Sequence, residues 1–483
     1  MGKTSSPTES QTLMFAREWK EQEAVVVPEV VYSRHIVMLS GPWTEQEHVM
    51  AAKLPNVQYV SLGPDPADRA GHSGLMDEQY LFAVKKAYRY VQQLLKARPE
   101  GAVLIQLLVA KRAQYKLFGG LSALLKTAEL ENPKIIIQII EADDLQSTER
   151  VVQILKESSQ SAGDTHIRYQ NDKRYTSLWK EVGSSHSSLV KLPWKDRGVY
   201  LITGGLGAIG SILAEHIAEQ AEHPVLILTG RSELDESDRQ RMALLEQMGA
   251  EVMYRRSDVS KREAVDELML EINRNYGELH GIIHNAGLIR DSYMIRKELD
   301  DIEEVLAPKV AGTVHLDEAS QYFKLDFFVL FSSLAGVHGN VGQADYAAAN
   351  AFMDEYSEYR NERVQQGERH GFTLAINWPL WEEGGMHMND HARQNMERIS
   401  GAAPLERANA MRSLQQTLQE RRSPVVVMQG QADQLRSFMG ISGTAPIMNT
   451  DEAYSRSDDE NYLDLVEKIR SGECTLDQLM HLK

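Results

Sequence analysis

Val199-Tyr200-Leu201-Ile202-Thr203-Gly204-Gly205-Leu206-Gly207-Ala208-Ile209-Gly210 is the stretch that decides the fold. The apolar run from Val199 reads as a buried strand, and Gly205, Gly207 and Gly210 satisfy G-x-G-x-x-G between it and a helix expected from about Ser211. Glycines let backbone amides approach a pyrophosphate, and the positive end of the helix dipole favours its charge. Thr203, Gly204, Gly205, Leu206, Gly207, Ala208, Ile209 and Gly210 are therefore candidate cofactor contacts. The next strand, Val225 to Thr229, ends in Gly230-Arg231-Ser232, where an NAD site would usually place an acidic residue for the ribose hydroxyls. Arg231 and Ser232 suit a 2′-phosphate instead and favour NADPH. The alternative for Arg231 is a solvated loop cation.

The strand and helix succession then repeats. Glu251 to Tyr254 leads to Ser257-Asp258-Val259, and His280 to His284 leads to Asn285-Ala286-Gly287. Asp258, with Val259 beside it, is placed to accept from an adenine amino group, or else caps a turn. Asn285, Ala286 and Gly287 can pass the backbone close to a cofactor ribose, or else form a turn or helix cap. Further strands at Phe327 to Phe331, Thr373 to Trp378 and Pro424 to Met428 make seven parallel-type strands, a complete doubly wound sheet. One of them delivers Ser333 to a glycine-rich turn, and an alanine-rich helix then carries Tyr346 and Asn350 four positions apart on one face. A phenol with an ordinary pKa near ~10 is a poor donor at neutral pH unless a cation and a hydroxyl act on it. Ser333 can be that hydroxyl. Taken alone, the segment reads equally well as a strand, a turn and a helix with a half-buried Tyr.

At 483 residues the chain exceeds one ordinary core, so two domains are expected. In the first 185 residues, strand-like runs at Arg34 to Leu39, Val57 to Leu62, Ala102 to Leu108 and Lys134 to Ile140 alternate with helical patterns at Glu78 to Leu95 and Gly119 to Ala128. This is a smaller α/β unit. Its first strand runs into Ser40-Gly41-Pro42-Trp43-Thr44, where proline and tryptophan bar the close approach a pyrophosphate needs, so the unit is expected to be structural. Gly71-His72-Ser73-Gly74-Leu75 lacks the last glycine of an acyl-transfer elbow. Thr165 to Gln170, a turn at Asn171-Asp172 and Lys173 to Leu178 read as a closing hairpin, and the Ser-rich stretch Gly183 to Ser188 as a boundary.

A hydrophobic share of 42% and a charged share of 25% fit a soluble globular chain. No apolar run reaches membrane-spanning length and the start has no signal core, so a cytoplasmic protein with no membrane partner is expected. The net charge of −17 argues against nucleic acid. Cys474 is the only cysteine, which excludes internal disulfides and a zinc site built on cysteines, and no metal is expected.

These residues resemble the short-chain dehydrogenase/reductase superfamily, and more narrowly the ketoreductase domain of modular polyketide synthases, of the bacterial trans-acyltransferase class. Ser333 and Tyr346 keep the family's 13-residue separation. The superfamily's Tyr-x-x-x-Lys is here Tyr346-Ala347-Ala348-Ala349-Asn350, with the lysine displaced to Lys309 in Leu306-Ala307-Pro308-Lys309-Val310-Ala311-Gly312-Thr313. That exchange is characteristic of polyketide and animal fatty-acid synthase ketoreductases. The resemblance implies two Rossmann-like subdomains: after a leader at 1–15, a truncated, cofactor-free structural one at 16–185 and a complete seven-stranded catalytic one at 186–430, followed by a linker or tail at 431–483.

It also implies the chemistry. Tyr346 would donate the proton, Ser333 bond the carbonyl oxygen, Lys309 lower the Tyr346 pKa and orient the ribose, and Asn350 support the Lys309 amine and a proton relay. The implied substrate is a 3-oxoacyl thioester, with a 2-oxoacyl one left open, on a phosphopantetheinyl acyl carrier protein of the same synthase, among neighbouring synthase domains. A catalytically silent structural domain and a reductase of small free ketones are the alternatives. Glu382-Glu383-Gly384-Gly385-Met386-His387-Met388, just after Trp381, corresponds to the family's lid, with hinge glycines and adaptable methionines, and makes Trp381 and Met386 candidate substrate contacts. Two marks divide the family by product configuration. A Leu-Asp-Asp element appears here as Ile289-Arg290-Asp291, keeping its last Asp, and the Trp of the opposite class, eight residues before the Tyr, is here His338. Asp291 points to the B type, which yields the D-configured hydroxyl.

Overall fold

The computed structural model describes residues 10–24, 31–40, 47–63, 75–111, 113–143, 147–161, 163–183, 193–385 and 390–441. Gly41 to Thr44, Gly71 to Gly74, Ser184 to Ser188, Met386 to Met388 and the tail from residue 442, Cys474 included, lie outside them. The first part of the chain supplies β1 (Gln11–Glu21), β2 (Arg34–Leu39), β3 (Val57–Ser61), β4 (Val103–Ala110), β5 (Ile135–Ala142), β6 (His166–Gln170) and β7 (Lys173–Val182). The second supplies β8 (Val199–Thr203), β9 (Val225–Gly230), β10 (Glu251–Arg256), β11 (Gly281–His284), β12 (Phe327–Ser333), β13 (Phe372–Trp378), β14 (Ala402–Ala403) and β15 (Val425–Gly430). The helices that matter for the site are α1 (Met76–Lys96), α2 (Leu121–Glu131), α3 (Ala208–Gln220), α4 (Glu236–Gln247), α5 (Leu299–Lys309), α6 (Ala344–Gln365) and α7 (Ala432–Phe438).

One sheet runs through the molecule in the order β10-β9-β8-β11-β12-β13-β15-β1-β7-β6-β5-β4-β2-β3. The seven strands from β10 to β15 are mutually parallel, and so are the five from β6 to β3. Such strands carry helices on both faces and read as continuous apolar runs, which is why β4 and β8 are buried at every position. Both expected α/β halves are present, joined by antiparallel strands. β1 pairs with β15 through Gln11 to Ala16 and with β7 through Met14 to Glu21. The strand therefore begins inside the stretch expected to be a leader, because Leu13 to Ala16 are apolar residues that the two neighbouring edges bury. The β6–β7 hairpin forms as expected, with Asn171 at φ 51° and Asp172 at φ 60°, the left-handed pair a two-residue turn requires.

The first half braces the second around α6. Its small residues allow close packing: Tyr80 of α1 lies against Phe352, ring centroids 4.7 Å apart, and its hydroxyl donates to the Ala348 carbonyl at 2.9 Å. Glu131, at the end of α2, accepts from the amides of Met294 (2.9 Å) and Gly342 (3.0 Å). Gln92 of α1 donates to the Met294 and Lys297 carbonyls at 2.8 and 3.0 Å, while Lys126 of α2 donates to Val337 O at 2.7 Å. These are the two loops that flank the start of α6. A fully buried Lys297–Asp345 pair (2.5 Å) closes the same corner. Among the described residues no helix is long and apolar enough to cross a membrane.

Candidate active site

The glycine turn is a cradle that side chains would fill. Gly204 takes φ +64°, and a Cβ on it would come 3.3 Å from Ala286 Cα. A Cβ on Gly205 would lie 2.9 Å from the Ile202 carbonyl oxygen, and one on Gly210 would collide with the Gly204 carbonyl. Gly207, in extended backbone, caps α3, so Ala208 and Ile209 open the helix three residues earlier than Ser211 and the amide-rich end faces the turn. The cradle and the helix end fit a dinucleotide pyrophosphate.

Thr203, at the end of β8, works inside a relay. The His284 Nε2 lies 2.9 Å from the Pro308 carbonyl, which can only accept, so that nitrogen carries the proton. Nδ1 then accepts from the Thr203 hydroxyl at 2.7 Å, and the Thr203 oxygen accepts from the amides of Asn285 and Ala286, both at 3.1 Å. Burial, then the charge of Lys309, pushes His284 down to about 3, which preserves the neutral ring this relay needs. Sequence reading missed His284; a histidine ending a strand beside the glycine turn was its only signal. Asp258 Oδ1 accepts from the Ser260 amide (3.0 Å) and hydroxyl (2.8 Å), so the turn role is realised, while the buried Val259 presents its carbonyl to His315 Nδ1 at 3.2 Å.

Arg231 and Ser232 are exposed at the end of β9. Their backbone is held: Tyr254 donates its hydroxyl to Ser232 O at 2.7 Å and Arg256 Nε donates to Arg231 O at 2.9 Å. Arg241 of α4 donates to the Leu206 carbonyl in the glycine turn at 3.1 Å. Two more guanidiniums thus bind to this loop and this turn, neither singled out from sequence.

Ser333, Lys309, Tyr346 and Asn350 come together where β12, α5 and α6 meet. Ser333 ends β12, and its oxygen accepts from the Ala335 amide at 3.3 Å. Tyr346 is 9% exposed. Burial raises its pKa, hydrogen bonding from Ser333 and then Asn350 pulls it back, and the charge of Asp291 adds to the rise. Lys309 brings its ammonium 5.6 Å from the Tyr346 ring centroid. Gly287 makes room for it, since a Cβ there would lie 2.7 Å from Lys309 Cε. Burial drives Lys309 down to about 7, with the charge of Asp354 opposing. The ammonium donates to the Phe331 carbonyl at 2.9 Å. Asn350 spends its amide nitrogen on the Tyr346 carbonyl (2.7 Å), and its buried Oδ1 has no partner among the described residues.

The expected substrate residues divide. Asp291 is exposed beside α6 and accepts from Gln343 Nε2 at 3.0 Å. His338 ends the short helix Leu334–His338 with its ring 4.8 Å from Phe438 of α7, and burial pushes it down to about 3. Trp381 is 3% exposed, edge-on to Trp378 at 5.1 Å and 6.4 Å from Phe331, which makes it part of the apolar core under the site. Gly384 and Gly385, expected as hinge glycines, lie near Ile209 and Ala208 of the cradle. Met386 lies outside the described residues. Among those residues, no group of three His, Cys, Asp or Glu is arranged to hold a metal.

The fold is a doubly wound α/β sheet that gathers Ser333, Tyr346 and Lys309 at its strand ends. The KR domain family matches residues 198–383. Polyketide synthase PksN of Bacillus subtilis (strain 168) is 41% identical over 100% of this chain, and polyketide synthase PksL of the same organism is 39% identical over 90% of it. The chain spans 9% of the length of each of these relatives. The crystal structure of a ketoreductase domain from the bacillaene assembly line is 35% identical, covers 89% of this chain and 100% of its own, and superposes with a TM-score of 0.82. The chain belongs to the ketoreductase domain family of polyketide synthases.

Proposed function

We propose that this chain uses NADPH to reduce the ketone of a 3-oxoacyl thioester carried on the phosphopantetheine of an acyl carrier protein, giving the D-hydroxyl product. The observation that carries the reading is the convergence of Tyr346, Ser333, Asn350 and Lys309 at the strand ends beside the glycine cradle. Bound NADPH supplies the hydride. Tyr346 keeps its proton through neutral pH, so it meets the substrate as an acid. Ser333 shares the phenol's hydrogen bonding and so can hold the same carbonyl oxygen as charge develops on it. The Lys309 cation stabilises the phenolate left when Tyr346 gives up its proton, and Asn350 offers an unpaired Oδ1 to the path that restores it. The partners this requires are a carrier protein and the neighbouring domains of a longer synthase. The test is to incubate the chain with NADPH and a panel of ketoacyl carrier proteins and follow the acyl mass. A gain of two hydrogens is expected; no gain with any thioester, or equal rates with small free ketones, overturns the proposal.

Cofactor choice follows from the exposed Arg231. Charge-assisted bonds to a 2′-phosphate contribute roughly 1.5 to 3 kcal/mol, so Arg231→Ser is expected to cut kcat/KM for NADPH by about tenfold or more and leave NADH nearly unchanged. Equal losses with both cofactors would show that the arginine does not read the phosphate.

Product configuration follows from Asp291. An element beside the groove sets the side from which the pantetheine arm enters, so a fixed Tyr346 meets only one face of the ketone. Chiral chromatography of the hydroxyacyl product is expected to show mainly the D enantiomer. A dominant L product would remove the B-type assignment.

A further inference from the structure

Under the catalytic helix lies a second layer of buried polar groups. Asp354 sits one turn along α6 from Asn350 and two from Tyr346. Its Oδ1 accepts from Asn377 Nδ2 at 3.1 Å, Asn377 Oδ1 accepts from the Ser332 hydroxyl at 3.0 Å, and that hydroxyl is also 3.1 Å from the Asn350 carbonyl oxygen. Ser332 follows Phe331, the residue whose carbonyl holds Lys309. Asp354, Asn377, Ser332, Asn350 and Lys309 are all 4% exposed or less. One carboxyl thus ties the ends of β12 and β13 to the turn of α6 that carries Asn350.

Hydrogen bonding alone does not account for an acid here. An asparagine would accept from Asn377 equally well, whereas a buried charge without a partner costs several kcal/mol. The cation it acts on is Lys309, whose own burial it opposes. Other charges face the pair: Arg17 of β1 favours the ionised Asp354 and Glu358 of α6 disfavours it, while neutral His284 of β11 faces Lys309. Burial pushes the acid up to about 7 and the lysine down to about 7, and the charge of Asp354 works against the fall of the lysine.

We propose that Asp354 is a positioning residue for ketone reduction, acting through Lys309, which it keeps cationic, and through Ser332, which it uses to hold the Ser333 strand end against Asn350. This rests on the ketoreductase reading. The test compares wild type with Asp354→Asn, which keeps the shape and the bond to Asn377 and removes the charge. The basic limb of kcat/KM, where Lys309 loses its proton, is expected to move to lower pH by about one unit, with kcat near pH 7.5 down about tenfold and the KM for the thioester little changed. A limb that superimposes on the wild-type curve overturns the proposal. Should Asp354→Asn fail to fold, Ser332→Ala serves. It removes the hydroxyl that braces Asn377, the donor to the acid, and that lowers the acid's pKa, so the limb should move the same way by less, and an unmoved limb again refutes it. A 13C NMR titration of the Lys309 Cε resonance, assigned with Lys309→Arg, needs no turnover. If no thioester is reduced, the functional reading falls, while a lower Lys309 midpoint in Asp354→Asn still supports the coupling and an equal midpoint removes it.

Discussion

Tyr346→Phe is expected to lower ketone-dependent NADPH oxidation by about 10²- to 10⁴-fold, the range a positioned general acid contributes, while cofactor binding stays close to wild type. The phenyl ring keeps its packing against Ala123, Val305, Ala335, Ala347 and Ala351, so the fold has no reason to fail. What disappears is a hydroxyl that burial keeps protonated at neutral pH and that Ser333 and Asn350 act on. The residues of the glycine cradle are untouched. NADPH binding followed by fluorescence, beside single-turnover reduction of a 3-ketoacyl thioester, separates the two effects. Turnover within about tenfold of wild type would remove Tyr346 from the proton-donor role.

Ketone reduction by the wild-type chain is expected to weaken as the pH rises through about 7, and the limb belongs to Lys309. The sign follows from the two neighbours. Lys309 is charged below about 7 and neutral above it, because burial disfavours the ammonium. Tyr346 is shifted upward from 10.0 and stays protonated across the same interval, so its own ionisation gives no limb there. Losing the cation leaves the developing phenolate without its electrostatic partner, a loss of about 10²- to 10³-fold by analogy with removing one oxyanion donor. Lys309→Met should therefore be slow at every pH, with no limb near 7. The measurement is kcat/KM from pH 5.5 to about 9, which reports the free enzyme. A limb that survives in Lys309→Met would assign the titration to another group.

The site was unevenly legible in the sequence. Thr203 to Gly210 stood out because a strand, a tight turn and a helix entry each carry a local signature, and the cradle forms as read apart from the helix starting at Ala208. Tyr346 and Asn350 share a face of α6 for the same local reason. Lys309 was legible only through resemblance, since 37 residues separate it from Tyr346 in sequence and no periodicity links a helix end to a helix start. Its ammonium is held by the Phe331 carbonyl, a contact with no signal in the sequence. Trp381, a candidate substrate contact in sequence, packs edge-on against Trp378 in the core, a tertiary contact that local pattern does not announce.

By itself the sequence determined the seven parallel strands, the glycine cradle and the hydroxyl pair at the end of β12 and the start of α6, because each depends on periodicities of two or 3.6 and on turn chemistry within a few residues. Tertiary structure alone decided that β1 joins both halves into one sheet, because both of its edges had to find partners far away in the chain. It also decided that Glu131 and Gln92 of the first half hold the loops flanking Tyr346, that His284 stays neutral to serve Thr203, and that the charge of Asp354 acts on Lys309. Those roles come from desolvation and from contacts between residues far apart in the chain, and neither is written in the spacing of residues along it.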